Sequence, residues 1–219
     1  MPIRSVPGTA SVATPEGGKL FAPSAARNMP ALVDLLTQVA PTQGHALEIA
    51  SGTGQHVVGY ASRLPGLIWQ PTEVDAVRRA SIDAYAVEAG LDNVLTARAL
   101  DATSPGWGSQ LDRPQDLIVL SNLLHLISKP ETRILISEAA AALAPDGQLV
   151  IYGPFMRNTS LSSDGDVAFH ASLIAHDPET GYKDDGETKI WLQDAGLNMV
   201  GSPEMPANNL ALISKKTPT

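Results

Sequence analysis

Short apolar runs alternate with helical patterns along most of this chain. The runs fall at residues 46–50, 67–70, 93–97, 116–120 and 148–152. Helical spacing of apolar positions marks the segments between them: residues 55–64, residues 75–89 closing at Gly90, and residues 130–143 ahead of the turn Pro145-Asp146-Gly147. That alternation predicts βαβ units, because a parallel crossover needs a long connection and a sheet buried on both faces has continuous rather than alternating apolar strands. A first helix is predicted before the first strand, with Ser24 as its cap and Leu32, Val33, Leu35, Leu36 and Val39 at helical spacing. Near the other end, a helix at residues 187–195 stops at Gly196, and two strand-like runs follow at residues 197–201 and 210–214. No helix separates these last two runs, which predicts an antiparallel terminal hairpin. With the five earlier runs they make seven strands, mostly parallel, in an α/β fold of the Rossmann-like kind.

Two stretches break the rhythm. Residues 1–23 are rich in Pro, Gly, Ser, Thr and Ala without periodicity, and read as a flexible or loosely docked N-terminal arm. Residues 155–185 are polar and irregular, an insertion of the kind that becomes a lid or substrate pocket on a rigid scaffold. Residues 24–219 are read as a single domain around this insertion.

Composition narrows the possible chemistry. Fifteen Lys and Arg against 23 Asp and Glu leave a formal charge of −8 across 219 residues, which disfavours nucleic acid and anionic lipid as partners. The chain has no cysteine, so thiolate metal sites, iron–sulfur clusters and a cysteine nucleophile are excluded. No apolar run approaches the roughly 18 residues of a membrane span, and the first residues lack the apolar core of a secretory signal; a soluble, cytoplasmic protein is expected.

The stretch ALEIASGTGQH carries the most chemical information. A buried strand ends at Glu48, and Gly52 and Gly54 let the backbone turn tightly ahead of a helix N-terminus, where a ligand can approach. A dinucleotide fingerprint would need glycine where Val57 stands, and a P-loop would need Gly-Lys-Ser or Gly-Lys-Thr, so neither fits. What remains resembles the first motif of class I S-adenosylmethionine-dependent methyltransferases. The strings EIASGTGQH, WQPTE, SNLLHL, YGPF and MPANN are similar to a methyltransferase-like family of unknown function within that superfamily.

The resemblance implies S-adenosylmethionine as cofactor and S-adenosylhomocysteine as product. It implies that Glu48, Ala50, Ser51, Gly52, Thr53 and Gly54 line the cofactor's amino-acid end. Glu73 is implied for the ribose hydroxyls, with Asp75 as the substitute, Asp101 and Ala102 for the adenine, and Asn122 and Leu123 for the methyl group. Ala50 departs from the wider superfamily pattern, standing where most methyltransferases keep a first glycine.

Other polar residues admit two readings each. Arg27 and Asn28 open the first helix, where they suit a carboxylate or the cofactor's methionine end, and equally a solvated helix terminus. His56 follows the glycine turn as a cofactor-edge residue or a local structural partner. His125 and Tyr152 are the catalytic candidates, if the acceptor arrives protonated, and with Phe155 and Arg157 they are the candidates for acceptor binding. A packed histidine, an aromatic core residue and a surface charge are the competing roles. Asn208 and Asn209 either close the pocket floor or make the turn. His170 and Asp177 lack any partner at metal-ligand spacing, and no metal is expected. Methyl transfer to an O, S or N atom of a small molecule is the expected activity, the alternatives being a non-catalytic binder of the same cofactor or a macromolecule methyltransferase. The acceptor and the oligomeric state are not specified by the sequence.

Overall fold

The computed structural model describes residues 14–16 and 18–217. In chain order its elements are β1 (Thr14–Glu16), β2 (Lys19–Phe21), α1 (Pro23–Val39), β3 (Gly44–Ile49), α2 (Gln55–Arg63), β4 (Leu67–Pro71), α3 (Ala76–Ala89) and β5 (Gln115–Ser121). There follow α4 (Lys129–Ala142), β6 (Leu143–Met156), α5 (Asp164–His176), β7 (Lys183–Asp184), α6 (Asp185–Asp194), β8 (Leu197–Gly201), β9 (Glu204–Met205) and β10 (Asn209–Lys216).

The main sheet runs β4-β3-β5-β6-β10-β8, with β7 added to β6 and β9 to β10. Strands β4, β3, β5 and β6 are parallel, while β10 is antiparallel to both β6 and β8. Eight strands therefore form the sheet where seven were expected. The expected strand at residues 93–97 is not among them. That segment lies beside β4 in parallel orientation, its backbone paired there through isolated bridges at Trp69–Val94 and Thr72–Arg98. Side chains interrupt its ladder: the Ala97 amide donates to Asp83 at 2.7 Å, and Gln70 Nε2 donates to the Thr96 carbonyl at 2.9 Å.

Strand parity separates two cores. Leu47, Ile49, Ile118, Leu120 and Ile151 face one side with Leu135 and Ile136 of α4 and Leu192 of α6. Ala46, Val119, Val150 and Ala211 face the other with Leu32 and Leu36 of α1, Tyr60 of α2 and Ile82 of α3. Burial on both faces explains why these strands read as continuous apolar runs.

Helix starts follow local polar chemistry. Asp75 caps α3 by accepting from the Arg78 amide, and Ser128 and Glu131 form a reciprocal capping box at the start of α4.

The described parts of the two irregular stretches contain regular elements. Of the arm, residues 1–13 and 17 lie outside the described residues, while β1 and β2 pair as an antiparallel hairpin. The insertion contains α5, capped by Ser163 accepting from the Asp166 amide, and β7. Its apolar content is thin, since only Leu173 of α5 is buried while Val167 and Ile174 are exposed.

Candidate functional site

The sheet's parity brings four polar side chains to one rim. Glu48 sits opposite Val119, Ser121 opposite Tyr152, and Tyr152 opposite Ala211. Paired residues share a face, as do residues two apart on one strand. Glu48, Ser121, Tyr152 and Asn209 therefore form a ledge across the C-terminal ends of β3, β5 and β6 and the start of β10. Ligands collect at the carboxyl ends of strands in open α/β sheets. Tyr60 of α2 overhangs this ledge, its Oη 3.4 Å from Ser121 Oγ. Burial pushes the Tyr60 phenol well up, and the nearby Glu48 and Tyr152 add to the shift against the Ser121 hydrogen bond.

Glu48 is buried with one of its carboxyl oxygens unsatisfied. Its side chain is 2% exposed, and its Oε2 is buried without a hydrogen-bond partner. Burial raises its pKa to about 8, opposed by Ser51 and assisted by the charge of Glu73. A buried carboxyl oxygen left unpaired costs on the order of 1–3 kcal/mol unless a donor arrives. An ammonium group is such a donor.

The turn after β3 is held open by backbone geometry. Ala50 has φ +53° and Gly52 φ +59°, both in the left-handed region. The structure thus keeps at Ala50 the backbone that a glycine would adopt without strain, at a cost on the order of 1 kcal/mol. Asn122 repeats the feature after β5 with φ +56°. Gly54 has a different reason to be glycine. A Cβ there would lie 2.6 Å from Ile82 Cα, so its absence lets α2 and α3 approach.

Hydrogen bonds tie the turn to its surroundings. Glu73 accepts from the Gly52 amide at 3.0 Å through Oε2 and from the Asp75 amide at 3.2 Å through Oε1. Each oxygen keeps a further lone pair for a hydroxyl. Asp75 itself is spent as the cap of α3. On the other side, the Leu20 amide donates to Ser81 Oγ at 2.7 Å, and Ser81 Oγ donates to the Thr53 carbonyl at 2.8 Å. Gln55 Oε1 accepts from both the Ala22 amide at 2.7 Å and Thr53 Oγ1 at 2.9 Å. The N-terminal hairpin is therefore latched to the glycine turn.

Other sequence candidates fall in different settings. His56 stacks on Tyr60 with centroids 5.7 Å apart, and its Nε2 lies 3.2 Å from the Ala25 carbonyl. Burial pulls its pKa down to about 4 against that hydrogen bond, so the ring is neutral. This places His56 between α1 and the turn. Arg27 is exposed and Asn28 half-buried near the same helix start. Asp101 spends its carboxylate on its own turn, accepting from the Thr103 amide and hydroxyl and from Ser104 Oγ. Burial pushes its pKa up, and these bonds more than offset that, leaving it below the usual carboxylate value. Ala102 is buried and its carbonyl accepts from Trp107 Nε1. Leu123 is packed against the α4–α6 core.

The four acceptor-side candidates do not converge on one point. Tyr152 lies on the ledge and accepts from Asn209 Nδ2 at 3.0 Å. Phe155 is buried within the α4–α6 core, on the other face. Arg157 is committed to the loop before β10, as described below. His125 lies in a short 3-10 turn, Leu124–Leu126, in edge contact with Phe169 and Tyr182 of the insertion. No hydrogen bond or ring contact among the described residues joins it to Tyr152. Its Nδ1 is buried without a partner, and burial together with the charge of Lys183 lowers its pKa to about 3.

Sequence reasoning passed over Tyr60 and Lys183, and read Ser121 only as the first residue of the SNLLHL string. Lys183 is 2% exposed, and its Nζ donates to the Ile127 carbonyl at 2.6 Å and the Gly181 carbonyl at 2.8 Å. With the Gly181 amide donating to the His125 carbonyl at 2.9 Å, it fastens the insertion to the turn after β5. Ser121 was legible in principle, since it shares the parity of Leu117 and Val119. Tyr60 and Lys183 depend on packing between distant segments. Among the described residues, no group of three or more His, Asp or Glu is arranged to hold a metal ion.

This sheet order, with a reversed penultimate strand and a glycine turn after β3, is the class I methyltransferase fold. The chain belongs to the family described as protein of unknown function, DUF938, whose model matches residues 19–216. Among solved structures, it is similar to an O-methyltransferase family protein from Burkholderia thailandensis, with TM-score 0.76, 18% identity, and coverage of 89% of this chain and 58% of that one. An O-methyltransferase family 2 protein from Planctomyces limnophilus in complex with apigenin matches with TM-score 0.73, 20% identity, and coverage of 89% and 60%. Human N-acetylserotonin methyltransferase in complex with S-adenosylmethionine matches with TM-score 0.70, 14% identity, and coverage of 88% and 52%. The chain thus spans between about half and three fifths of the length of these relatives.

Proposed function

We propose that this protein transfers a methyl group from S-adenosylmethionine to an oxygen, sulfur or nitrogen atom of a small molecule. The observation that carries the reading is the buried, unpartnered Glu48 Oε2 at the edge of the glycine turn, on this fold. The donor it lacks matches the ammonium of the cofactor's amino-acid end. Glu73 retains lone pairs for the ribose hydroxyls, and Asn122 and Leu123 follow β5 where the methyl group would lie. Arg27, Asn28, His56, Asp101 and Ala102 surround that path at its two ends. Similarity to O-methyltransferase folds solved with apigenin or S-adenosylmethionine supports a small-molecule acceptor.

The cofactor supplies an electrophilic methyl on a sulfonium, so the activation is already in place. The chain's task is alignment at near-attack distance and exclusion of water. The insertion, fastened by Lys183 over the turn after β5, is suited to covering the acceptor. His125 stays neutral through the physiological range and holds a free nitrogen lone pair, which suits it to receive a proton from an acceptor hydroxyl. Its low basicity makes that assistance modest and best matched to acidic acceptors such as phenols or thiols. Tyr152 contributes a hydroxyl on the ledge.

Calorimetry with S-adenosylmethionine, S-adenosylhomocysteine, NAD and ATP tests the cofactor. The first two are expected to bind and the others not; NAD binding without a response to S-adenosylmethionine would overturn the assignment. Incubation with methyl-labelled cofactor and a size-fractionated metabolite extract tests the activity. Label is expected in the small-molecule fraction. Label confined to macromolecules would refute the acceptor class, and binding without transfer to either fraction would favour a non-catalytic binder.

A further inference from the structure

Tyr152 makes one side-chain hydrogen bond among the described residues, and its direction can be deduced. Asn209 Nδ2 lies 3.0 Å from Tyr152 Oη and 3.0 Å from the Pro206 carbonyl. A backbone carbonyl only accepts, so the Asn209 atom facing Pro206 must be the amide NH2. Its second hydrogen then points at Tyr152. The phenol oxygen is the acceptor of that bond, and its own proton is free to point elsewhere.

The loop that presents Asn209 is tied down by several side chains. Arg157 Nη2 donates to the Asn208 and Asn209 carbonyls at 3.2 Å each, and Nη1 donates to Ser162 Oγ at 3.2 Å. Glu204 stands 3.8 Å from the same guanidinium. Asn208 Nδ2 donates to Asp166 Oδ2 at 3.1 Å, and Tyr182 Oη donates to Oδ1 of the same residue at 3.1 Å. Consecutive residues Ala207 and Asn208 both adopt φ +58°, and Asn158 and Thr159 beside Arg157 adopt φ +50° and +64°. Strained pairs of this kind persist only where surrounding bonds over-determine them. Here those bonds set the position of Asn209.

We infer that Asn209, held by Arg157, is a positioning residue that fixes the Tyr152 hydroxyl as a hydrogen-bond donor toward the acceptor. The acceptor therefore presents a lone pair there, such as that of a carboxylate, carbonyl or deprotonated hydroxyl. The inference rests on the reading of Tyr152 as part of the acceptor site. Burial holds the phenol up at about 12 against the Asn209 bond, so the proton to be donated is present throughout the physiological range. It also reassigns Arg157, whose Nη2 is occupied by the Asn208 and Asn209 carbonyls and Nη1 by Ser162, while its Nε is buried without a partner.

Protein labelled with ¹³C at tyrosine Cζ, with Tyr152 assigned through Tyr152→Phe, reads the geometry directly. Asn209→Leu and Arg157→Lys are each expected to shift the Tyr152 resonance and raise its titration midpoint, leaving S-adenosylhomocysteine affinity within about twofold. An unmoved resonance in both folded variants overturns the positioning role. With S-adenosylhomocysteine bound, benzoate is expected to shift the same resonance and benzylamine is not. A shift with benzylamine alone, or with neither probe, overturns the lone-pair requirement. Transfer of label into the small-molecule fraction is expected to fall about tenfold in Asn209→Leu and in Tyr152→Phe, the loss one hydrogen bond gives. The double variant should fall no further, because the two residues act as a unit. Independent, multiplicative losses would overturn the coupling. If wild-type protein transfers no label to any fraction, the methyltransferase reading fails, while the resonance still decides the role of Asn209.

Discussion

A carboxyl buried as Glu48 is keeps its proton until about pH 8, against 4.5 for the free group. Between those values the folded chain binds that proton and the unfolded chain does not, so stability falls as pH rises through the window. Glu48→Gln removes the titration. The variant should therefore melt close to wild type at pH 5 and clearly above it at pH 8.5, by a margin on the order of a few kcal/mol in denaturant titrations. If the carboxylate receives a cationic group, binding expels the proton. Affinity for S-adenosylmethionine should then climb by at most about tenfold per pH unit up to about pH 8 and level off above it. Calorimetry in buffers of differing ionisation heat would register the released proton, and its absence would show that Oε2 does not meet the ligand's charge. Loss of a hydrogen-bonding carboxylate by Glu73→Ala should weaken the same affinity by about 1.5–3 kcal/mol. Glu48 was legible in the sequence because an acidic residue at a strand end beside a glycine turn is a local pattern, whereas Glu73 was legible only through the family resemblance. Tyr60 and Lys183 were not, because their roles arise only when α2 meets β5 and when the insertion returns to the turn after β5.

Elements were legible wherever burial imposed a period. The strands inside the sheet and helices α2, α3 and α4 match the predicted segments to within a few residues, apart from the longer β6. Helix α5 escaped because it buries one side chain, although Ser163 followed by Asp164 and Asp166 is a start signal with a mechanism. The predicted strand at residues 93–97 has the composition of one, and lost its ladder to Asp83 and Gln70. Two substitutions probe how elements are joined. Gly54→Ala would press a methyl onto the backbone of α3 while retaining φ +97°, and should cost about 2–4 kcal/mol in thermal or denaturant unfolding. Lys183→Met would leave the Ile127 and Gly181 carbonyls without their shared donor, at about 2–4 kcal/mol. Because that lysine fastens the insertion rather than the cofactor turn, S-adenosylhomocysteine binding should survive in the folded variant while methyl transfer drops. Equal loss of both would show that the insertion and the turn behave as one unit.

At the scale of the whole molecule, a sheet buried on both faces leaves its polar ledge at one rim. The N-terminal hairpin reaches that rim from outside the domain's regular order. Its Leu20 and Ala22 amides end in hydrogen-bond relays through Ser81 and Gln55 to the two oxygens of Thr53. Energetic coupling between two places is reciprocal. Whatever stiffens the turn must therefore slow amide exchange at positions 20 and 22, more than thirty residues upstream, and whatever pulls the hairpin away must loosen ligand by the same factor. If the turn holds the cofactor as proposed, the two amides report its occupancy, readable by hydrogen–deuterium exchange with no label on the ligand, and Ser81→Ala should silence the first while leaving the second audible.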